Sequence, residues 1–205
     1  MKSQNKTKQN KTKKLKIYLF RHGETYYNKE KVFTGWKDSK LTPEGVKNAE
    51  TVAEKLKNKK FQIAFQSHLT RSKQTLKIVL KYHPECKRVI TDDRIIERSY
   101  GDLQGKTHKE FIEKYGKRLY NIYHRSYSVP PPNGESIKMV EKRVLSFIHD
   151  LIDFMRRKKV NVAISAHGNS MRPFRRYFEG LTVRQMMKLE NPWDDYFEYE
   201  IDAEE

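Results

Sequence analysis

The sequence predicts an α/β protein, a three-layer sandwich whose mostly parallel sheet is flanked by helices. Three observations point there. Short apolar, β-branched runs recur along the chain, LKIYLF at 15–20 and VNVAISA at 160–166 among them. Between them lie stretches with apolar residues at three- and four-residue steps, the period of a helix packed on one face. The two patterns alternate, which is the order that builds a parallel, helix-covered sheet. At 205 residues, one compact domain is the default, and 36% hydrophobic with 12% aromatic residues can fill its core.

Each element has its own signal. Residues 15–20 form a first strand that runs straight into RHGE. Residues 43–58 open with Pro-Glu and place Val46, Ala49, Val52, Ala53 and Leu56 on one helical face. FQIAFQS (61–67) reads as a second strand, and 69–82 as a helix with Leu76, Val79 and Leu80 inward. KRVITDDRIIE (87–97) is extended, 107–119 helical, and VPPPNG (129–134) a loop by its prolines. Ile137, Val140, Val144, Phe147, Ile148 and Leu151 give a helix over 135–157. VNVAISA is a strand followed by HGNS and another helix, and 195–201 a last strand.

Charge and composition narrow the classes. The chain carries 43 Lys+Arg against 26 Asp+Glu, a net charge of +17, and residues 1–16 hold seven lysines and no acid. A segment so polar buries almost nothing, so residues 1–15 are expected to be a disordered basic tail ahead of a domain at 16–205. It lacks the apolar core of a secretory signal, and no apolar run is long enough to span a bilayer. The single cysteine, Cys86, rules out a disulfide framework and a Cys-rich zinc site. The basic body fits nucleic acid or a small polyanion.

Chemistry gathers where the strands end, the place ligands bind in open α/β sheets. IYLF leads to Arg21-His22-Gly23, and VAISA to His167-Gly168. The second strand enters a helix with Arg71 in its first turn, where free N–H groups favour an anion. The extended RII segment stops at Glu97. If these strands are neighbours, two histidines, two arginines and a carboxylate converge. That set suits phosphoryl transfer through a histidine: a ring nitrogen attacks, arginines hold the oxygens, and a carboxylic acid protonates the leaving group. No metal is expected, because no carboxylate sits at ligand spacing from the histidines and arginines surround them.

RHGET at 21–25 resembles the motif of the histidine phosphatase superfamily, the phosphoglycerate mutase-like fold, over about Lys16 to Ile201. VFTGWKDSKLTPEG (32–45), SHLTRSKQT (67–75), ERSYGDLQGK (97–106) and AHGNSMR (166–172) narrow the resemblance to its cofactor-dependent phosphoglycerate mutases. These interconvert 3-phosphoglycerate and 2-phosphoglycerate, primed by 2,3-bisphosphoglycerate and without a metal. The resemblance makes His22 the phosphorylated nucleophile and Glu97 the proton donor and acceptor. Arg21, Arg71, Asn28, His167 and the Gly168-Asn169 backbone would surround the phosphoryl group. Thr34, Gly35, Arg98, Tyr100, Lys106, His108, His124 and Arg125 match segments that contact substrate.

Four features depart from that branch. His124-Arg125 stands where two arginines are usual, and His108 where a lysine is usual, with Lys106 and Lys109 close enough to substitute. A covering insertion after VPPP is absent, and PNGES resembles the phosphatase members. The alternative function is therefore a broad phosphomonoesterase of the same fold. A more distant one is a basic nucleic-acid-binding protein using the tail, Lys55–Lys60 and Arg156–Lys159. The leading expectation is a cytoplasmic enzyme on a small-molecule substrate, with no membrane, no specific nucleic acid, and a homodimer as the candidate assembly.

Overall fold

The computed structural model describes residues 13–204; most of the expected basic tail lies outside them. Five strands form one sheet in the order β3-β2-β4-β1-β5. They are β1 (Lys14–Arg21), β2 (Ile63–Gln66), β3 (Arg88–Thr91), β4 (Val162–Ala166) and β5 (Tyr196–Asp202). The first four are mutually parallel, and β5 runs antiparallel along β1. Strand β1 begins earlier than the expected boundary at 16, because Lys14 and Leu15 pair with Asp202 and Ile201.

Helices cover both faces, which is why the central strands are apolar at nearly every position. Along β1, Ile17 and Leu19 point to one side, where they pack with Val144, Phe147, Ile148 and Phe174. Tyr18 and Phe20 point to the other, against Val52, Leu56, Leu76 and Val79. The first layer is α5 (Ile137–Lys158) with α6 (Gly168–Glu179); the second is α2 (Pro43–Leu56) with α3 (Thr70–Val79). Thr42 caps α2 by accepting from Gly45 N, with Pro43 in the first turn, and Ser136 caps α5 through Met139 N. Such caps are each worth about 1 kcal/mol.

Three details differ from the sequence expectation. Val46 is exposed; the inward face of α2 starts instead at Gly45, which lies against the backbone of Glu24. The helix expected at 107–119 extends to Arg125 as α4 (His108–Arg125), broken at Gly116, whose φ of 82° a side chain would strain. The short helices α1 (Tyr26–Lys29) and α7 (Val183–Met187) have too few apolar residues to give a period.

Candidate active site

The site lies at the carboxyl ends of β2, β4 and β1, three adjacent strands. His22 is the first residue beyond β1, held level with the end of β4 by its N–H bond to Ala166 O at 3.1 Å. Its ring is buried, and Nδ1 sits 2.7 Å from Gly23 O. A carbonyl only accepts, so Nδ1 carries the proton and Nε2 keeps its lone pair. Burial, then Arg71 and Arg21, hold the His22 pKa well below the usual histidine value, so the ring is neutral.

His167 ends β4 and starts α6. It is fully buried, its ring 5.0 Å from that of His22, with Nε2 2.8 Å from Ser67 Oγ. Ser67 Oγ also accepts from Leu69 N, so its own proton is available to Nε2. His167 Nδ1 then bears the ring proton and has no partner although buried. Burial, Arg71 and His22 push its pKa far down as well.

Arg71, in the first turn of α3, donates to Gly35 O at 2.8 Å and Lys37 O at 3.0 Å. Burial lowers its pKa to about 10, which leaves it charged at neutral pH. Arg21 donates to Asn191 O and stacks over Trp193, while its buried Nε has no acceptor. The Arg21 guanidinium lies against Gly168, where an added Cβ would stand 3.4 Å from it, at ordinary contact distance.

Glu97 follows a 3₁₀ turn after β3. Its Oε1 accepts from Arg98 N at 2.7 Å and Asn169 N at 3.1 Å. Oε2 has no partner among the described residues. A carboxylate oxygen of Glu97 and ring nitrogens of His22 and His167 all lie within 4.8 Å of one another. The fold thus brings a carboxylate to ligand distance of both histidines, which the spacing along the chain did not suggest. Arg21 and Arg71, charged and adjacent, oppose a cation there.

Arg21, His22, Arg71 and Glu97 line a cavity of about 240 Å³, below the ~300–1,000 Å³ of pockets for drug-sized ligands, while His167, beside His22, is outside that lining. Asn28, Thr34, Gly35, Tyr100, His108, His124, Arg125, Gly168 and Asn169 line it too. Asn28 uses Oδ1 to hold Thr25, leaving its amide N–H groups to the cavity. His108 and His124 stand 5.2 Å apart; burial depresses both, His124 to about 3, so both are neutral.

Two expected substrate contacts are elsewhere. Arg98 is fully buried beneath the lining, its guanidinium over the Tyr100 ring and its donors spent on the carbonyls of Glu135, Tyr123 and His124. Lys106 is exposed and outside the lining, as is Lys109, so neither takes the place left by His108. Sequence reasoning also missed Arg172 and the wall of Met187, Leu189, Glu190 and Asn191. Arg172 was within reach, because it lies four residues after Gly168 on the same face of α6. The wall had no periodic signal.

A family profile, the histidine phosphatase superfamily (branch 1), matches residues 17–203. The chain belongs to this superfamily. A phosphoglycerate mutase of Schizosaccharomyces pombe is 42% identical over 177 residues, 85% of this chain and 84% of that one. A 2,3-bisphosphoglycerate-dependent phosphoglycerate mutase of Parvibaculum lavamentivorans is 36% identical over 189 residues, 91% and 90% of the two chains. The crystal structure of the α-ribazole phosphatase from Shigella flexneri superposes with a TM-score of 0.78 at 21% identity, covering 90% of this chain and 89% of the other. That last likeness speaks for the fold alone. Within the superfamily fold, β1 and β4 deliver the two histidines and α3 the second arginine.

Proposed function

We propose that this chain is a 2,3-bisphosphoglycerate-dependent phosphoglycerate mutase. It interconverts 3-phosphoglycerate and 2-phosphoglycerate through phospho-His22, without a metal, as a cytoplasmic enzyme of glycolysis and gluconeogenesis. The observation that carries the reading is the neutral, buried His22 whose ring bonds only through Nδ1 among the described residues, beside buried Arg21 Nε and His167 Nδ1, which find no partner there. A cavity that presents buried donors without acceptors is built for an anion. The sequence similarity to proteins named as mutases supplies the substrate.

Phospho-His22 gives its phosphoryl group to the free hydroxyl of the bound phosphoglycerate, whose proton passes to Glu97 Oε2. The freed His22 Nε2 then attacks phosphorus of the original ester, that P–O bond breaks, and the ester oxygen takes the proton back from Glu97, which leaves the isomeric phosphoglycerate and His22 phosphorylated again. Arg21, Arg71 and the His167 Nδ1–H hold the phosphoryl oxygens as charge redistributes. Phosphoglycerate carries about three negative charges and needs cations at its far end as well. Arg125 and Arg172 supply them, since both line the cavity; burial, and then the charge of Arg125, lower the Arg172 pKa, as expected of cations gathered without an anion. When bound, 2,3-bisphosphoglycerate supplies the phosphoryl group that primes His22, and the same arginines with Asn28 would hold it.

A second reading, a broad phosphomonoesterase, is favoured by one feature. The neutral His108 and His124 stand in the wall where further cations would retain a distal anion. Product analysis separates the two. With 3-phosphoglycerate and trace 2,3-bisphosphoglycerate in chelator, 2-phosphoglycerate should dominate, with a minor release of free phosphate. Free phosphate as the sole product would make the enzyme a phosphatase.

A further inference from the structure

The proton donor Glu97 sits on irregular backbone. Residues 92–99 leave the edge of the sheet, make one 3₁₀ turn, and then run beneath the cavity with no ladder partner. Buried carbonyls and amides on such a stretch must find partners elsewhere. Here two side chains outside the cavity provide most of them. Arg143, on α5, donates Nη1 to Arg94 O at 2.7 Å and Ile96 O at 2.9 Å, and Nη2 to Glu97 O at 3.0 Å. Glu135, in the loop before α5, accepts Arg143 Nε at 2.9 Å and Nη2 at 3.0 Å as a two-point pair. The same Glu135 carboxylate accepts Ser99 N at 2.9 Å, its backbone N–H donates to Ser99 O, and its carbonyl accepts Arg98 Nε at 2.6 Å. The backbone on both sides of Glu97 is thereby tied to one ion pair, at residues 94, 96, 97 and 99.

We propose that Glu135 and Arg143 are positioning residues for Glu97: their paired fork fixes the 94–99 backbone so that Oε2 of Glu97 meets the leaving oxygen. Neither residue lines the cavity, so neither touches substrate. Both are largely buried, with side chains 13% and 18% exposed, so the pair is shielded from screening and held in one geometry. Arginine is required rather than any cation, because one planar fork spans three carbonyls and a carboxylate at once. Proton transfer depends steeply on alignment, and a shift of about 1 Å in a supporting residue can cost ~10²-fold.

The inference rests on Glu97 being the acid, and the test separates the two claims. Single-turnover phosphorylation of His22 is measured by rapid quench from 2,3-bisphosphoglycerate, whose alkoxide leaving group needs a proton. It is measured again from p-nitrophenyl phosphate, whose leaving group departs as a stable anion. Glu135→Gln, Arg143→Lys and Glu97→Gln are compared, each with a thermal melt to establish folding. Glu135→Gln keeps the side chain's shape and guards against loss of the fold. We expect the ratio of the first rate to the second to fall about 10-fold or more in both pair variants, in the direction of a larger fall in Glu97→Gln. Parallel loss of both rates, or a wild-type ratio, in folded Glu135→Gln and Arg143→Lys would overturn the proposal while leaving Glu97 as the acid. A wild-type ratio in Glu97→Gln would remove the acid itself, and the positioning role with it.

Discussion

At the scale of single residues, the site works by keeping His22 neutral and its partners charged. Burial and the two arginines depress His22, so it should remain unprotonated at pH 6, where an ordinary histidine with a pKa of about 6.5 is mostly charged. A ¹⁵N NMR titration checks this; a midpoint near 6.5 would mean that the ring is not desolvated as described. Glu97→Gln keeps the hydrogen bonds to the Arg98 and Asn169 amides through its carbonyl but has no proton to transfer. Turnover on phosphoglycerate should drop about 10²–10⁴-fold with the fold intact. At the other end of the cavity, Arg125 is exposed on the lining and has no partner among the described residues. Removing one charge-assisted contact costs about 1.5–3 kcal/mol, so Arg125→Ala should lower mutase turnover roughly 10–100-fold. Hydrolysis of a small monoester, which has no distal anion, should fall far less. Equal losses in both assays would make Arg125 a structural residue or a ligand of the transferring phosphate.

At the scale of elements, the catalytic loop after β1 is braced by the start of α2. A Cβ on Gly45 would lie 1.9 Å from Glu24 O, and one on Gly23 would lie 2.1 Å from Gly45 O. Two opposed effects meet at Gly45. Alanine is ordinarily favoured over glycine in a helix by about 0.5–1 kcal/mol, whereas overpacking against backbone costs about 1–3 kcal/mol. The clash wins, so Gly45→Ala should lower the denaturation midpoint and, through Glu24, disturb His22. A raised midpoint would show that the loop can yield. The same helix marks where the sequence could be read and where it could not. Ala49, Val52, Ala53 and Leu56 declared its face, but Val46 misled because a close backbone approach, invisible to periodicity, gave that position to Gly45. Strand ends announced His22, Arg71 and His167 because apolar runs stop there abruptly. Arg98 resembled a substrate contact, yet its neighbours are carbonyls that come together only when α4 and the 129–134 loop fold over it. The 187–191 wall was illegible, since MKLEN carries neither a helical nor a strand period.

At the scale of the whole molecule, the sheet's carboxyl edge stores several buried neutral histidines, and that couples stability to pH. His22, His167 and His124 all have native pKa values depressed below their unfolded values. Below about pH 6.5 the unfolded chain binds protons that the native site refuses, so stability falls with pH in that range. It is fully present above pH 6.5 and is lost progressively as pH drops, in the case of His124 until about 3. Denaturant melts between pH 8 and 5 should show this decline, and a bound phosphate ligand should slow it by occupying the site. Stability that rises toward pH 5 would contradict the burial of neutral imidazoles. No helix among the described residues is long and apolar enough to cross a membrane. The phosphoryl carrier is the feature on which the functional account stands. Enzyme incubated with labelled 2,3-bisphosphoglycerate should carry an acid-labile, alkali-stable label on His22, absent from His22→Ala, and added unlabelled 3-phosphoglycerate should draw that label chiefly into phosphoglycerate. Label retained in His22→Ala, or label on His22 that passes only to water, would contradict it.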